Sequence, residues 1–193
     1  MNDFSEHARM SHFRFIEENL DVKNILQEVL DNPQDWDVAG NIKGASGDLK
    51  PYGFLPLTMA VIRAAGDDPK NTELQQDTPL RAKYKKIRKF LKRHKCQQHS
   101  RAAFFKLAPG DQVGWHIDDG TYYLTRDRYH LSLQGTYQYW VGDEPNVETA
   151  ELHTIEPGTF FWFDNKKHHR ALNVGDVDRI SFVFDVPKKK SNP

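Results

Sequence analysis

From Ser100 onward the chain is written as short apolar and aromatic runs cut by turn signals, and this constrains its fold more than any other feature. The breaks fall at Pro109-Gly110-Asp111, Asp119-Gly120, Gly142-Asp143-Glu144-Pro145, Pro157-Gly158 and Gly175-Asp176. Strands this short and this closely spaced bury their apolar faces by packing as a sandwich or barrel, of which a jelly roll is one form. With 193 residues, 38% hydrophobic and 12% aromatic, the chain can fill one domain core without covalent staples. Cys96 is the only cysteine. An intramolecular disulfide is thereby excluded, and a reduced, cytoplasmic setting is expected.

The first half reads differently. Phe13 to Ile16 is a candidate short strand. Val22, Ile25, Leu26, Val29 and Leu30 recur at helical spacing. Phe54 to Ala65 is expected as a second helix, ended by Gly66-Asp67-Asp68-Pro69. A third is expected from Thr78, a good N-cap followed by Pro79, through the apolar stripe Leu80, Tyr84, Ile87 and Leu91. This third segment, 79–95, carries nine Lys and Arg residues. They could form a docking face for an acidic partner or the solvated side of an amphipathic helix. The chain's 27 basic residues balance 27 acidic ones, which favours the solvated side and gives no general pull toward nucleic acid or an anionic membrane. Neither a signal peptide nor a membrane-spanning run of roughly 20 apolar residues is visible. The expected organisation is one domain over 1–187, with 1–98 mostly helical support and 99–187 the β core, then a disordered basic tail at 188–193.

Trp115-His116-Ile117-Asp118 follows an expected strand. Residues two apart on an extended chain share a face, so His116 and Asp118 can converge on one cation. Two histidines and one carboxylate form the facial triad that leaves positions open on iron(II). The second histidine comes from the segment 160–180. A hairpin centred near Val174 would set residue 169 opposite 179, with side chains about 5 Å apart on one face. His169 and Arg179 then point inward, and His168 pairs with Ile180 and points out. An inward guanidinium needs an anion, and its planar fork matches a carboxylate. Arg126, Arg128 and His130 alternate along another strand and share one of its faces, either a polar outer face or a pocket wall.

Taken together, His116-Ile117-Asp118, Arg128-Tyr129-His130-Leu131, Pro157-Gly158-Thr159, Phe163-Asp164, His169, Asn173-Val174-Gly175-Asp176 and Arg179-Ile180 resemble the aspartyl/asparaginyl β-hydroxylase family from about Ala108 to Val186. The resemblance implies a mainly β fold, a cupin-like double-stranded β-helix supported by N-terminal helices. It also implies iron(II), 2-oxoglutarate and O2, with succinate and CO2 released as a C–H bond is hydroxylated. By resemblance His116 and His169 match the iron histidines, Arg179 the co-substrate arginine, and Arg128 with His130 an Arg-x-His pair at the co-substrate. Animal members lack a carboxylate at the Asp118 position, whereas small bacterial and phage relatives carry it. A co-substrate-contacting serine of the family is replaced here by Phe105.

No side chain is required as a general base. Tyr122, Tyr123, Trp140 and Trp162 are candidates for the substrate side, which would take a small molecule or peptide. The alternative from a different class is a non-catalytic jelly roll that binds a metal or a carboxylate.

Overall fold

The computed structural model describes residues 11–36, 53–61, 63 and 68–188. Eleven strands and four α-helices follow in the order β1 (Phe13–Glu17), α1 (Lys23–Leu30), β2 (Gly53–Ala60), β3 (Gln75–Asp77), α2 (Pro79–Lys83), α3 (Lys86–Arg93), β4 (Ala102–Leu107), β5 (Gln112–His116), α4 (Thr121–Leu124), β6 (Arg126–Gln134), β7 (Tyr137–Gly142), β8 (Glu151–Ile155), β9 (Phe160–Phe163), β10 (His168–Asn173) and β11 (Arg179–Pro187) among the described residues. A seven-stranded sheet has the order β1-β9-β6-β11-β4-β2-β3, and a four-stranded sheet has the order β5-β10-β7-β8. From β4 onward the chain deals its strands between the two sheets, and every pairing is antiparallel. This is the jelly roll expected from the turn spacing. No helix among the described residues is long and apolar enough to cross a membrane.

Strand β11 shows why the larger sheet carries chemistry as well as core. It lies between β4 and β6, buried on both faces from Arg179 to Asp185. Its even-numbered residues Ile180, Phe182 and Phe184 pack with Phe104, Leu131, Leu133 and Leu55 under α1 and α3, which contribute Ile25, Val29, Ile87, Phe90 and Leu91. Each such side chain contributes about 1.5–3 kcal/mol by leaving water. Its odd-numbered residues Arg179, Ser181, Val183 and Asp185 face the other sheet. Between the sheets, Phe161 and Phe163 pack with Tyr137, Tyr139, Val141, Ile155 and Ala171 on one side. On the side of β4, β2 and β5 the sheets enclose a cavity of about 650 Å³.

The strand at 13–17 and the helix at 23–30 form as expected. The expected helix from Phe54 is instead strand β2, paired with β4 and β3. Leu55 and Leu57 of β2 enter the helix-covered core, while Phe54 and Thr58 line the cavity. Burial on both sides gives an unbroken apolar run that carries no period of two. The expected helix from Thr78 breaks at Tyr84, whose ψ of 84° leaves the helical region. The Tyr84 ring is fully buried and its hydroxyl donates to Asp35 Oδ2 at 2.9 Å. Glu28 on α1 then accepts from the Lys85 and Lys86 amides at 3.1 and 2.9 Å, restarting the helix as α3. Of the basic residues, Lys83, Arg81 and Arg93 pair with Asp35, Asp77 and Glu17, and Arg88, Lys89 and Lys92 sit in solvent. Beyond Lys188 the basic tail lies outside the described residues, as do residues 1–10.

Candidate metal and co-substrate site

His116 ends β5 and His169 lies in β10, where the two are cross-strand partners with ring centroids 4.1 Å apart. Each Nδ1 faces a backbone carbonyl two residues back, His116 to Gly114 O at 2.8 Å and His169 to Lys167 O at 2.9 Å. A carbonyl only accepts, so the proton sits on Nδ1 and the Nε2 lone pair is free for a cation. Asp118 lies two residues past β5. Its amide donates to Asn165 O at 2.9 Å, and its Oδ2 accepts from Asn165 Nδ2 at 3.0 Å and from Arg128 Nη1 at 2.9 Å. The three ligand atoms of His116, Asp118 and His169 lie within 4.8 Å of one another. Two imidazoles and one carboxylate converging beside a cavity fit iron(II) with open positions.

The loop bearing Asp118 is pinned from outside. Gly120 has a φ of 98°, and a Cβ there would stand 2.5 Å from Lys70 O, so only glycine fits. Lys70 pairs with Asp119, and the Thr121 amide donates to Asn71 Oδ1 at 3.0 Å.

Electrostatics keep the set ready for a metal. Burial alone would raise the Asp118 pKa, but the Arg128 charge, followed by the two histidines, holds it below the usual carboxylate value. Burial, reinforced by His116, lowers His169 to about 3, so its ring is neutral. Burial, then the charge of Arg179, pushes His130 well below the ordinary histidine value.

Arg179 is 5% exposed. Its Nε donates to Ser181 Oγ at 3.1 Å and its guanidinium lies over the Tyr137 ring at 4.0 Å. Among the described residues no carboxylate pairs with it. His130 lies on the same inner face of the larger sheet, and its buried Nδ1 has no hydrogen-bond partner among the described residues. Arg128 is otherwise engaged: Nε and Nη2 grip Asp185 Oδ1 and Oδ2 at 2.8 and 3.1 Å, and Nη1 reaches Asp118. Arg126 faces outward along the rim to Glu73 and over the Tyr122 ring.

The expected hairpin between residues 169 and 179 does not form. Strand β10 lies between β5 and β7 in one sheet, and β11 lies between β6 and β4 in the other. The chain crosses between the sheets after Asn173, whose Nδ2 donates to Leu107 O and Val177 O, both at 2.9 Å. His169 and Arg179 both line the cavity, but from opposite walls. His168 is the alternate residue of β10 and is absent from that lining.

Of the four aromatic residues expected on the substrate side, only Tyr123 lines the cavity. Tyr122 is buried beneath it, Trp140 lies under Arg170 and Trp162 under Arg14. Phe105 lines the cavity beside Phe54, across the strand pair from Ser181. Sequence reading missed Asn165, Ser181 and Asp185. The signal for the last two was the polar alternation Arg179, Ser181, Asp185 inside an otherwise apolar strand.

Two antiparallel sheets dealt in this order, with two histidines and a carboxylate facing inward, define a cupin-like jelly-roll protein. The sequence matches the family described as aspartyl/asparaginyl beta-hydroxylase over residues 49–189, and the chain belongs to that family. The fold is similar to a crystal structure of an oxidoreductase of the 2OG-Fe(II) oxygenase family from Burkholderia pseudomallei, at 13% identity and a TM-score of 0.54, covering 75% of this chain and 70% of that one. More distant is a predicted oxalate decarboxylase from Thermotoga maritima, at 18% identity and a TM-score of 0.37 over 50% of this chain and 74% of that one. An oxalate oxidase in complex with glycolate gives 13% identity and a TM-score of 0.38, and the match covers 50% of this chain and 45% of that one. No curated protein sequence matches.

Proposed function

We propose that the chain is an iron(II)- and 2-oxoglutarate-dependent hydroxylase, with His116, Asp118 and His169 holding the metal and Arg179, His130 and Arg128 at the co-substrate. One observation carries the reading: a converging His-Asp-His set on one wall of a cavity faces, on the other, a buried arginine to which no described residue offers an acid partner. Iron(II) bound there supplies the oxidising chemistry, in which O2 and 2-oxoglutarate are converted to succinate and CO2 as a substrate C–H bond is hydroxylated.

The chain's own residues bind and orient. Arg179 offers its fork to the far carboxylate of the keto acid, an interaction that a low-dielectric cavity strengthens. His130 stays neutral and brings an unmatched Nδ1 to the same space. Two N–H groups of Arg128 remain beyond its three ionic contacts. Phe163, Val183, Leu107 and Ala103 line the walls and exclude water. The remaining volume, bounded by Phe54, Met59, Ala60 and Tyr123, receives the substrate, whether a protein Asp or Asn, another side chain, a free amino acid or an acyl chain. The single thiol, Cys96, is buried, in keeping with a cytoplasmic enzyme.

Purified protein given iron(II), ascorbate and 2-oxoglutarate is expected to form succinate in an O2-dependent manner, and Asp118→Ala to reduce this to near background. Metal binding without any succinate would instead make the chain a binding module.

A further inference from the structure

Asp185 is the most deeply buried acid in the cavity wall, 1% exposed, and the metal reading leaves it without a role. Burying a carboxylate is costly unless it is fully paired, and an apolar residue would serve packing as well or better. Its partners show what it does. Asp185 and Arg128 are cross-strand neighbours on β11 and β6, so the rigid sheet fixes their spacing. Asp185 occupies one edge of the Arg128 fork with both oxygens and also accepts from the Tyr122 hydroxyl at 3.1 Å. Only Nη1 is left to reach Asp118.

The consequence lies in lone pairs. Asp118 Oδ2 already receives Asn165 Nδ2 and Arg128 Nη1, which fills the two acceptor positions of that oxygen. Oδ1 is thereby the oxygen left for a cation. Without Asp185, the guanidinium would be free to turn its two-pronged edge onto Asp118 and take both oxygens, as arginine and carboxylate prefer. A metal would then compete with Arg128 for its own ligand.

We propose that Asp185, acting through Arg128, is a positioning residue that holds Asp118 to one-oxygen coordination and keeps Arg128 from displacing the metal. The inference rests on the iron reading above. Tyr122 completes the arrangement from the loop that bears Asp118, since it sits on α4 four residues on and returns to Asp185, while its oxygen accepts from the Arg101 amide at 3.2 Å. The loop is thus tied to the larger sheet twice, through Arg128 and through Tyr122.

The test is calorimetric titration of the metal-free protein with Mn²⁺, with folding followed by circular dichroism. Asp185→Asn is expected to weaken Mn²⁺ binding about 10- to 100-fold, the usual effect of losing a partner that orients a ligand. Adding Arg128→Met to Asp185→Asn is expected to recover part of that loss, because the competing guanidinium is gone. A merely structural Asp185 would give the opposite result, a double variant weaker than the single one, and this would overturn the proposal. Unchanged Mn²⁺ affinity in Asp185→Asn would also overturn it, provided that wild type binds Mn²⁺ and Asp118→Ala does not. Wild type without Mn²⁺ affinity would overturn the iron reading and the positioning role with it. If Asp185→Asn does not fold, Asp185→Ser, which releases the Arg128 fork without adding bulk, serves instead, and unaltered Mn²⁺ affinity there would overturn the proposal.

Discussion

The two ends of the cavity are built to different standards of completeness. Around the metal ligands the polar groups are already matched: Asp118 Oδ2 has two donors, Arg128 has two acids, Asp185 has both oxygens engaged, and each ligand histidine has its Nδ1 on a carbonyl. Around Arg179 they are not. Among the described residues its polar partner is the hydroxyl of Ser181, and the nearby His130 Nδ1 has none. A finished network rigidifies what it surrounds, whereas an unfinished one carries a cost that an arriving ligand removes. Under the proposed function the coordination geometry would thus be prebuilt, and the anion site would be completed by what it binds.

The sharpest way to break this contrast is at the second histidine. His169→Ala is expected to abolish measurable metal binding, and His168→Ala to leave it near wild type; calorimetric Mn²⁺ titration reads both, and the reverse pattern would move the ligand to the outer face. Next in size, Arg179→Ala is expected to weaken 2-oxoglutarate binding by about 2–5 kcal/mol, the range for deleting one member of a buried charge pair. In the same variant Mn²⁺ affinity should hold, so a joint loss would show that the two ends are not separable. The smallest effect concerns pH. Burial keeps His130 neutral in the fold, so its folded pKa lies below the unfolded value near 6.5. The unfolded chain binds the extra proton, so this residue makes the metal-free protein less stable as pH falls through and below about 6.5. His130→Phe should flatten that part of the stability profile in urea melts at pH 5 and 7, and an unchanged slope would show that His130 is protonated in the fold.

Much of the architecture was legible because the turns from Pro109 to Asp176 and the strands between them obey local rules. The pair His116-x-Asp118 was legible in part: the two-residue spacing suggested one face, but Asp118 lies past β5 and is set by Asn165 and Arg128. His169 and Arg179 both line the cavity, but the register offered for them was that of a hairpin that the chain does not make. Both odd-numbered residues face the cavity because two different strands present their inner faces across it. Strand β2 was misread because core on one side and cavity on the other removed the alternation that marks a half-buried strand. The break at Tyr84 depends on Asp35 and Glu28, which are distant in sequence and invisible to helical periodicity. Asp185 was hidden for a related reason: its meaning lies in Arg128, 57 positions away in the chain and adjacent across the sheet.

The crossing after Asn173 also bears on the protein's persistence. Because it sends His169 to one sheet and Arg179 to the other, the keto acid of the proposed function would, on reaching the arginine, be a removable strut between two halves of a sandwich. A ligand that binds only the closed arrangement adds to its stability in proportion to the logarithm of its concentration. On the proposed function, co-substrate supply would set turnover and, through the same contacts, how long each molecule withstands unfolding.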